Sequence, residues 1–199
     1  MENYIFNCSD IEACSEYISA TLICSPEKCK LVSMSEDKVI LYETEIFPLI
    51  SGNFETTLEI NCWRHFEDHP IVYVSPGTLN FNNKIRLNCK PSDPVESRLP
   101  QDCVIISKIP EYISNYNGMV KIIKFKKLNE VTMSLDNGDV TLVMDTKFIT
   151  PGSCFRVEVQ AAFLHDFVSD NYLKIYLEND YPICIEDGHN RTFIAPCSN

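Results

Sequence analysis

The densest group of cationic side chains in the chain is Lys121-Ile-Ile-Lys124-Phe-Lys126-Lys127. Ammonium groups spaced in this way can neutralise consecutive phosphates, which binds a nucleic-acid backbone without reading its sequence. The surrounding segment 112–129 contains no acidic residue, although acidic residues outnumber basic ones by 28 to 17 in the whole chain. On a helix, Lys121, Lys124 and Lys127 would fall within an arc of about 120°. The same residues partly alternate with apolar ones, so a strand is the competing interpretation.

A second group of residues that could bind a metal is Cys62-x2-His65-x3-His69, whose spacing could bring one thiol and two imidazoles together. A structural zinc site takes four ligands, and the sequence offers no fourth ligand here and no Cys-x-x-Cys elsewhere. We therefore predict no metal site, and we interpret the segment as a helix with a buried cysteine and two histidines on its polar face. Arg64, on the same helix, is a further candidate for phosphate contact.

Motifs of known catalytic chemistry are absent from the sequence. It contains no Gly-x-Ser-x-Gly, no Walker glycine loop, no Gly-x-Gly-x-x-Gly and no His-Glu-x-x-His. With only six glycines, a loop that cradles phosphates is hard to place. We therefore predict no catalytic residue, no cofactor and no enzymatic activity.

Composition narrows the class of protein further. The 199 residues carry a net charge of 17 − 28 = −11 and are 45% hydrophobic, which is enough to build a core. No apolar stretch approaches the roughly 18 residues that span a bilayer. The first ten residues lack the basic and apolar regions of a signal peptide. We therefore expect no membrane partner, and we interpret the ten cysteines as buried thiols of a reducing compartment.

The sequence matches itself when it is shifted by 101 positions, which indicates a duplication. The aligned pairs are mostly apolar: Ser33/Ser134, Val39/Val140, Leu41/Leu142, Phe47/Phe148, Phe54/Phe155, Leu58/Val159 and Phe66/Phe167. Segment 91–101 contains three prolines and is typical of an exposed linker. We predict a first domain over residues 1–90, a connector over 91–101 and a second domain over 102–199.

Each half divides again into a strand, a helix and further strands. Residues 155–159 alternate apolar with polar side chains, as a half-buried strand does, and Asp136-Asn-Gly138 is typical of a hairpin turn. Ser9-x-x-Glu12 resembles a capping box that begins a helix, with Leu22 on its apolar stripe. The predicted fold class is α+β, with four βαβββ-like units in two tandem domains.

Three short motifs stand in order along this layout. They are Leu31-Val-Ser-Met34 with Val39-x-Leu41, Asp180-Tyr-Pro182-Ile-Cys-Ile185, and Phe193-Ile-Ala-Pro196. Together they resemble the DNA sliding clamps, in particular the eukaryotic replication clamp, and the resemblance covers the whole chain. It implies two tandem clamp domains with helices on the inner face of a ring and antiparallel sheets on its outer face.

The resemblance also implies a function. The chain would be a non-catalytic subunit of a trimeric ring that a clamp loader places around duplex DNA in the nucleus. The inner helices would carry the sequence-independent DNA contacts: Lys121, Lys124, Lys126, Lys127 and Arg64. Client proteins would bind through short apolar peptides at a pocket formed by Met34, Val95, Leu99, Pro182, Ala195 and Pro196.

Ring closure would pair edge strands between subunits, which removes their exposed backbone groups. By position these strands are segments 84–90 and 140–147, which contain no proline. Their representative residues are Lys84, Arg86, Cys89, Val140, Leu142 and Met144.

Three functions remain open at this point. A subunit of the DNA-damage checkpoint heterotrimer, similar to its Hus-type chain, is preferred because the first helix offers no cation and the lining would be uneven. The alternatives are a divergent homotrimeric replication clamp and, from another class, a non-catalytic β-rich interaction protein that does not bind DNA.

Overall fold

The computed structural model describes residues 3–12, 19–82, 84–93, 97–106, 109, 111–127, 130–138, 141–144, 152–167 and 173–197. The chain divides into two compact units, Met1–Ser97 and Arg98–Asn199. The division lies inside the segment that the sequence predicts as a connector.

The first unit alternates strands with two short helices. Its elements in chain order are β1 (Tyr4–Asn7), α1 (Cys8–Glu12), β2 (Ala20–Cys24), β3 (Cys29–Met34), β4 (Ile40–Ile46), β5 (Thr56–Ile60), α2 (Trp63–Glu67), β6 (Ile71–Ser75), β7 (Thr78–Phe81) and β8 (Ile85–Asn88).

The second unit repeats this order. Its elements are β9 (Asp102–Ile106), α3 (Glu111–Ser114), β10 (Met119–Lys124), β11 (Val131–Leu135), β12 (Thr141–Met144), β13 (Phe155–Gln160), a 3-10 helix (Ala161–Phe167), β14 (Leu173–Leu177), β15 (Ile183–Asp187) and β16 (Asn190–Ile194).

Sheet topology shows the duplication directly. The first unit has strand orders β5-β2-β3-β4 and β1-β6-β7-β8, and the second has β13-β10-β11-β12 and β9-β14-β15-β16. Every pairing within these orders is antiparallel. The predicted α+β class with two βαβββ units in each half is therefore confirmed.

The constant shift of 101 residues, in contrast, is only an average. The partner pair Ala20–Ser33 occupies the place of Val120–Leu135, so β2 matches β10 with a shift of 100 and β3 matches β11 with a shift of 102. The shifts differ because four residues separate β2 from β3 whereas six separate β10 from β11. Burial follows the same correspondence, since all four of these side chains face a core.

Each unit has its own hydrophobic core. In the first, aromatic side chains from β1, α2 and β7 are almost fully buried, among them Phe6, Phe66 and Phe81. In the second, aliphatic side chains such as Ile122 and Leu164 fill the corresponding space. Full burial of such a side chain stabilises the fold by about 1.5–3 kcal/mol.

The helices are short, and they pack in pairs, α1 with α2 and α3 with the 3-10 helix. The helix predicted near Ser9 is present as α1, but Leu22 belongs to β2 and not to a helical stripe. Ala161 and Leu164 are buried as predicted, on a 3-10 helix instead of an α-helix. No described helix is long and apolar enough to cross a membrane.

Candidate nucleic-acid and partner interfaces

The lysine cluster lies on a strand and the turn that follows it. β10 is an inner strand between β11 and β13, and its residues alternate in burial. Val120, Ile122 and Lys124 face the core, whereas Lys121 points to the opposite side of the sheet. The prediction that these lysines occupy a DNA-facing helix is therefore wrong, because the period-2 burial of Val120 and Ile122 requires a strand.

Lys124 is buried and already has a partner. Its side chain is 5% exposed, and its Nζ donates a hydrogen bond of 2.7 Å to the backbone carbonyl of Ser153. An ammonium held below a sheet in this way cannot reach a phosphate. The prediction that Lys124 contacts DNA is corrected accordingly.

Lys121 stands among acidic side chains. Its cross-strand partner on β13 is Glu158, and Asp136 follows the end of the neighbouring β11. The hydroxyl of Tyr116, 2.6 Å from Oδ1 of Asp136, holds the pKa of that carboxyl below its usual range, and the charge of Lys121 adds to the effect. The charge of Lys121 is thus partly balanced within the unit.

Lys126 and Lys127 are the solvent-exposed cations of the cluster. They follow Phe125, whose side chain is 60% exposed. The turn borders a cavity of about 640 Å³ with a mostly apolar lining. The lining residues are Ile123, Lys124, Phe125, Lys126, Cys154, Phe155, Arg156 and Asn179.

The described helices carry few cations. Arg64 is exposed on α2, where the sequence predicts it, and it is the one lysine or arginine in these helices. Exposed acidic side chains are more numerous there: Asp10 on α1, Glu67 on α2 and Glu111 on α3. A positively charged helical lining is therefore not a property of this chain's described helices.

The Cys62, His65 and His69 segment packs on an aromatic ring. The ring centroids of His65 and His69 lie 5.7 and 5.5 Å from that of Phe81. Nδ1 of His69 also lies 2.7 Å from the carbonyl oxygen of Asp68. Among the residues that the structure describes, no three His, Cys, Asp or Glu side chains are grouped so that they could hold a metal.

Both segments predicted to close a ring contain edge strands. β8 ends the sheet β1-β6-β7-β8, and β12 ends the sheet β13-β10-β11-β12. Arg86 lies within β8, and Lys84 and Cys89 flank it. Leu142 and Met144 lie in β12, whereas Val140 lies outside the described residues.

Other strand edges are already covered by the chain itself. The Glu59 N–H on β5 donates to the Lys90 carbonyl at 3.1 Å, and the Cys197 N–H donates to the Glu158 carbonyl on β13 at 2.9 Å. In each unit the segment after the last strand therefore lies along an edge strand of the other sheet, which is β5 in the first unit and β13 in the second.

The connector is anchored at its second half. The Arg98 guanidinium donates two hydrogen bonds to the Glu178 carboxylate, at 2.8 and 3.1 Å, and lies 4.3 Å above the ring centroid of Tyr181. This guanidinium holds the pKa of Glu178 below its usual range. Leu99 follows Arg98 in the sequence and Pro182 follows Tyr181, and both are half-buried.

The remaining residues of the predicted client pocket lie on both units. Met34 ends β3 in the first unit and is 44% exposed. Ala195 and Pro196 follow β16 in the second unit and are half-buried. Val95 lies outside the described residues.

Comparison with known proteins finds likeness at the level of structure. No protein-family model matches the sequence. No curated protein matches it either. Solved structures match over the full length: proliferating cell nuclear antigen (PCNA) from Entamoeba histolytica has a TM-score of 0.62 and 14% identity, covering 98% of this chain and 98% of that chain.

A second match is A. fulgidus PCNA, in a structure with the C-terminal region of FEN-1 bound. Its TM-score is 0.63 at 13% identity, and the likeness covers 100% of this chain and 99% of that chain. The chain has the DNA sliding-clamp fold. The resemblance predicted from three short motifs is thus confirmed for the architecture.

Several polar contacts inside this sliding-clamp fold have no signal in the sequence. Glu43 on β4 is 5% exposed and accepts hydrogen bonds from Lys30 at 3.1 Å and from the Ser97 hydroxyl at 2.5 Å. Arg98 and Glu178 are 80 residues apart. Charged residues on alternating strand positions usually face water, so only the strand register could have revealed the pair of Lys30 and Glu43, and no local pattern links Arg98 to Glu178.

Proposed function

We propose that this chain is a subunit of a ring-shaped sliding clamp that encircles duplex DNA and tethers partner proteins. The supporting observation is the likeness to PCNA chains, which covers at least 98% of this chain and at least 98% of each PCNA chain. Such a protein acts as a scaffold, and the proposal includes a clamp loader as partner and the nucleus as location.

The open edges of β8 and β12 support assembly with other subunits. Among the described residues, no backbone hydrogen bond is made at the outer edge of either strand. Unpaired strand edges readily accept a strand of another chain, and a ring leaves no such edge exposed. We propose that the open edge of β8 in one subunit pairs with the open edge of β12, or of its equivalent strand, in the next subunit.

A proline on β8 tests this assembly. The Cys89 N–H donates to the Gly77 carbonyl at 2.9 Å, next to β7. Since successive N–H groups of a strand point to opposite edges, the Arg86 N–H points outward. Arg86→Pro should therefore abolish assembly while the unit stays folded, because proline is tolerated on edge strands. Arg86→Ala, which retains the N–H, should assemble normally.

The measurement is the mass in solution by light scattering, with the chain alone and with the other clamp-like chains of the same source. Assembly that survives Arg86→Pro would reject this interface. A complex of three copies of the 22.8 kDa chain alone would favour the homotrimeric replication clamp.

We favour the heterotrimeric checkpoint ring over the homotrimer. Because Arg64 is the one lysine or arginine of the described helices, a ring of three identical chains would have a weakly basic lining. In a heterotrimer the other subunits would supply the phosphate contacts. The same observation favours the second candidate function, a β-rich interaction protein without DNA binding.

DNA topology distinguishes these functions. The assembled ring is loaded on nicked circular duplex DNA, and the DNA is then cut once. A clamp stays on the circle at moderate salt and slides off the linear ends, whereas a protein that binds a groove ignores the cut. Arg64→Glu should shorten retention on the circle, and Lys28→Glu, a reversal of an exposed charge that belongs to no predicted DNA contact, is the control. No retention on the circle would leave the interaction protein as the function.

We further propose a client site around Leu99 and Pro182. The support is the anchored connector, in which Arg98 is fixed on Tyr181, and the half-buried positions of Leu99 and Pro182 beside this contact. A labelled peptide from the C-terminal region of FEN-1 is a suitable probe, since that region is bound to the A. fulgidus PCNA. Leu99→Asp should weaken binding at least tenfold, about 1.4 kcal/mol. Equal affinities for the wild type and Leu99→Asp would remove the site.

A further inference from the structure

Two cysteines face each other at the end of the β2–β3 hairpin. Cys24 is the last residue of β2 and Cys29 the first of β3, and they are direct cross-strand partners. Both are buried, with 1% and 3% of their surface exposed. The turn between them is closed by the Ser25 N–H, which donates to the Lys28 carbonyl at 2.9 Å.

The register brings the two thiols into the geometry of a disulfide. Because Ser25 and Lys28 form a hydrogen-bonded pair, the next pair along the ladder, Cys24 and Cys29, is of the non-hydrogen-bonded type. In such pairs the Cα atoms lie about 4.5 Å apart and the side chains are closest. Disulfides span Cα separations of about 4.4–6.8 Å. A bond between these sulfurs therefore needs little backbone movement.

The two thiols also differ in acidity. The hydrogen bond from the Cys24 thiol lowers the pKa of Cys29, and the same hydrogen bond together with burial raises the pKa of Cys24. Cys29 lines a cavity that opens to water, whereas Cys24 is not among its lining residues, so an oxidant reaches the Cys29 sulfur first and Cys24 is the resolving thiol.

Cys29 is reachable from solvent through a small cavity. About 230 Å³ of space adjoins it, lined by the turn residues 25–28 and by residues 45–48 and 51. Pro26, Glu27 and Phe47 in this lining are exposed, so the cavity opens to water. The space exceeds that of several water molecules, and a peroxide is little larger than one.

We propose that Cys24 and Cys29 are a reversible oxidation site that closes to an intramolecular disulfide on reaction with hydrogen peroxide. The Cys29 thiolate attacks one peroxide oxygen, the O–O bond breaks, and the hydroxide that leaves takes up the proton lost by Cys29 to become water, giving a sulfenic acid on Cys29. The Cys24 sulfur then attacks the Cys29 sulfur, the S–O bond breaks, and the Cys24 proton leaves with the oxygen as water. The two thiols lose two electrons, and the peroxide becomes two waters.

Other described cysteines provide matched comparisons. Cys154 is exposed, but no cysteine is its strand partner. Burial raises the pKa of both Cys62 and Cys89, that of Cys89 to about 11. The site therefore requires both a facing thiol and a route by which the oxidant reaches one sulfur, and among the described residues Cys24 and Cys29 combine the two.

The test is a peptide map of the full chain after treatment with hydrogen peroxide, alkylation and trypsin without reduction. Cleavage after Lys28 separates the two cysteines, so the disulfide joins two peptides that reductant releases. The expected result is loss of alkylation at Cys24 and Cys29 together, before loss at Cys62 and Cys89. Cys24→Ser should stop the reaction at the sulfenic acid of Cys29, which dimedone traps.

The wild-type map decides the proposal even if the variant fails to fold. Full alkylation of Cys24 and Cys29 while Cys154 is oxidised would overturn it. So would a cross-link of either cysteine to a third one, or a product that reductant does not reverse.

Discussion

The ends of the β2–β3 and β10–β11 hairpins occupy the same place in the repeated topology but differ in chemistry. The last pair of the first hairpin is Cys24–Cys29, and that of the second is Lys124–Val131. All four side chains are buried. The first unit fills the position with two small thiols, and the second fills it with a long cation that reaches the Ser153 carbonyl.

The difference shows that topology determines burial but not side-chain chemistry. A core-facing position in the last pair of a hairpin lies close to backbone carbonyls of neighbouring loops. It can therefore hold a buried ammonium that donates a hydrogen bond to one of these carbonyls. Lys124 consequently belongs to a charge-rich sequence segment and to the core at the same time. The two hairpins can be compared by substitutions that alter one buried group at a time.

The largest effect is expected from Lys124→Glu. A carboxylate at this position would face the Ser153 carbonyl without a donor, and an uncompensated buried charge costs about 3–5 kcal/mol. The midpoint of urea unfolding should fall accordingly. Lys124→Met, which keeps the length of the side chain, should lose only about 1 kcal/mol.

The matched control is Lys126→Glu, two residues along on the exposed turn, which should change the free energy of unfolding by less than about 0.5 kcal/mol. If Lys124→Glu unfolds no more easily than Lys126→Glu, Lys124 is not buried and the comparison of the two hairpins fails.

An intermediate effect is expected from Lys30→Met in the first unit. That unit places its buried charge between β3 and β4, where Glu43 accepts a hydrogen bond from Lys30. The Glu43 side chain is 6% exposed, so loss of the cation should cost about 1–3 kcal/mol of unfolding free energy. Lys28→Met breaks the outer pair with Glu45, at 3.5 Å and well exposed, and should cost at most about 0.5 kcal/mol.

Urea unfolding in low and high salt measures both variants. The loss in Lys30→Met should persist in high salt, because a partly buried pair is poorly screened. A loss that disappears with salt would mean that Lys30 and Glu43 interact through water, like the pair of Lys28 and Glu45.

Much of this architecture could be predicted because local patterns and burial agree. Asp136-Asn-Gly138 predicts a hairpin, and Gly138 has φ +82° where β11 turns towards β12. The alternation over 155–159 predicts β13, and the proline-rich segment contains the division between the units. These features depend on residues that are neighbours in sequence.

The candidate sites were less predictable because they depend on register. The segment around Lys121 and Lys124 is compatible with a helix and with a strand, and charge density does not reveal that Lys124 points inward in the strand that forms. The Cys24–Cys29 pair is visible in the sequence only as two cysteines five positions apart. Without the hairpin register, no local pattern indicates that they face each other.

The smallest effect is expected at the second turn of each unit, where an aspartate accepts a hydroxyl hydrogen bond. The Ser35 hydroxyl lies 2.5 Å from Oδ1 of Asp37 and lowers the pKa of that carboxyl, and the Val39 N–H adds to the effect. In the second unit Tyr116, which lies between α3 and β10, does the same for Asp136. Since both pKa values are lowered in the folded state, each contact stabilises above the ordinary pKa and is lost as the pH falls through the folded one.

Tyr116→Phe should therefore raise the pKa of Asp136 towards its ordinary value and reduce the loss of stability between neutral and acid pH. Ser35→Ala should raise the pKa of Asp37 as well, but change the pH dependence of stability less, because residues two apart can form the same hydrogen bond in the unfolded chain. NMR titration of the carboxyl groups and urea unfolding across the acid range measure the two effects. Equal changes in pH-dependent stability for both variants would show that the Tyr116 contact is no more specific to the folded state than the local one.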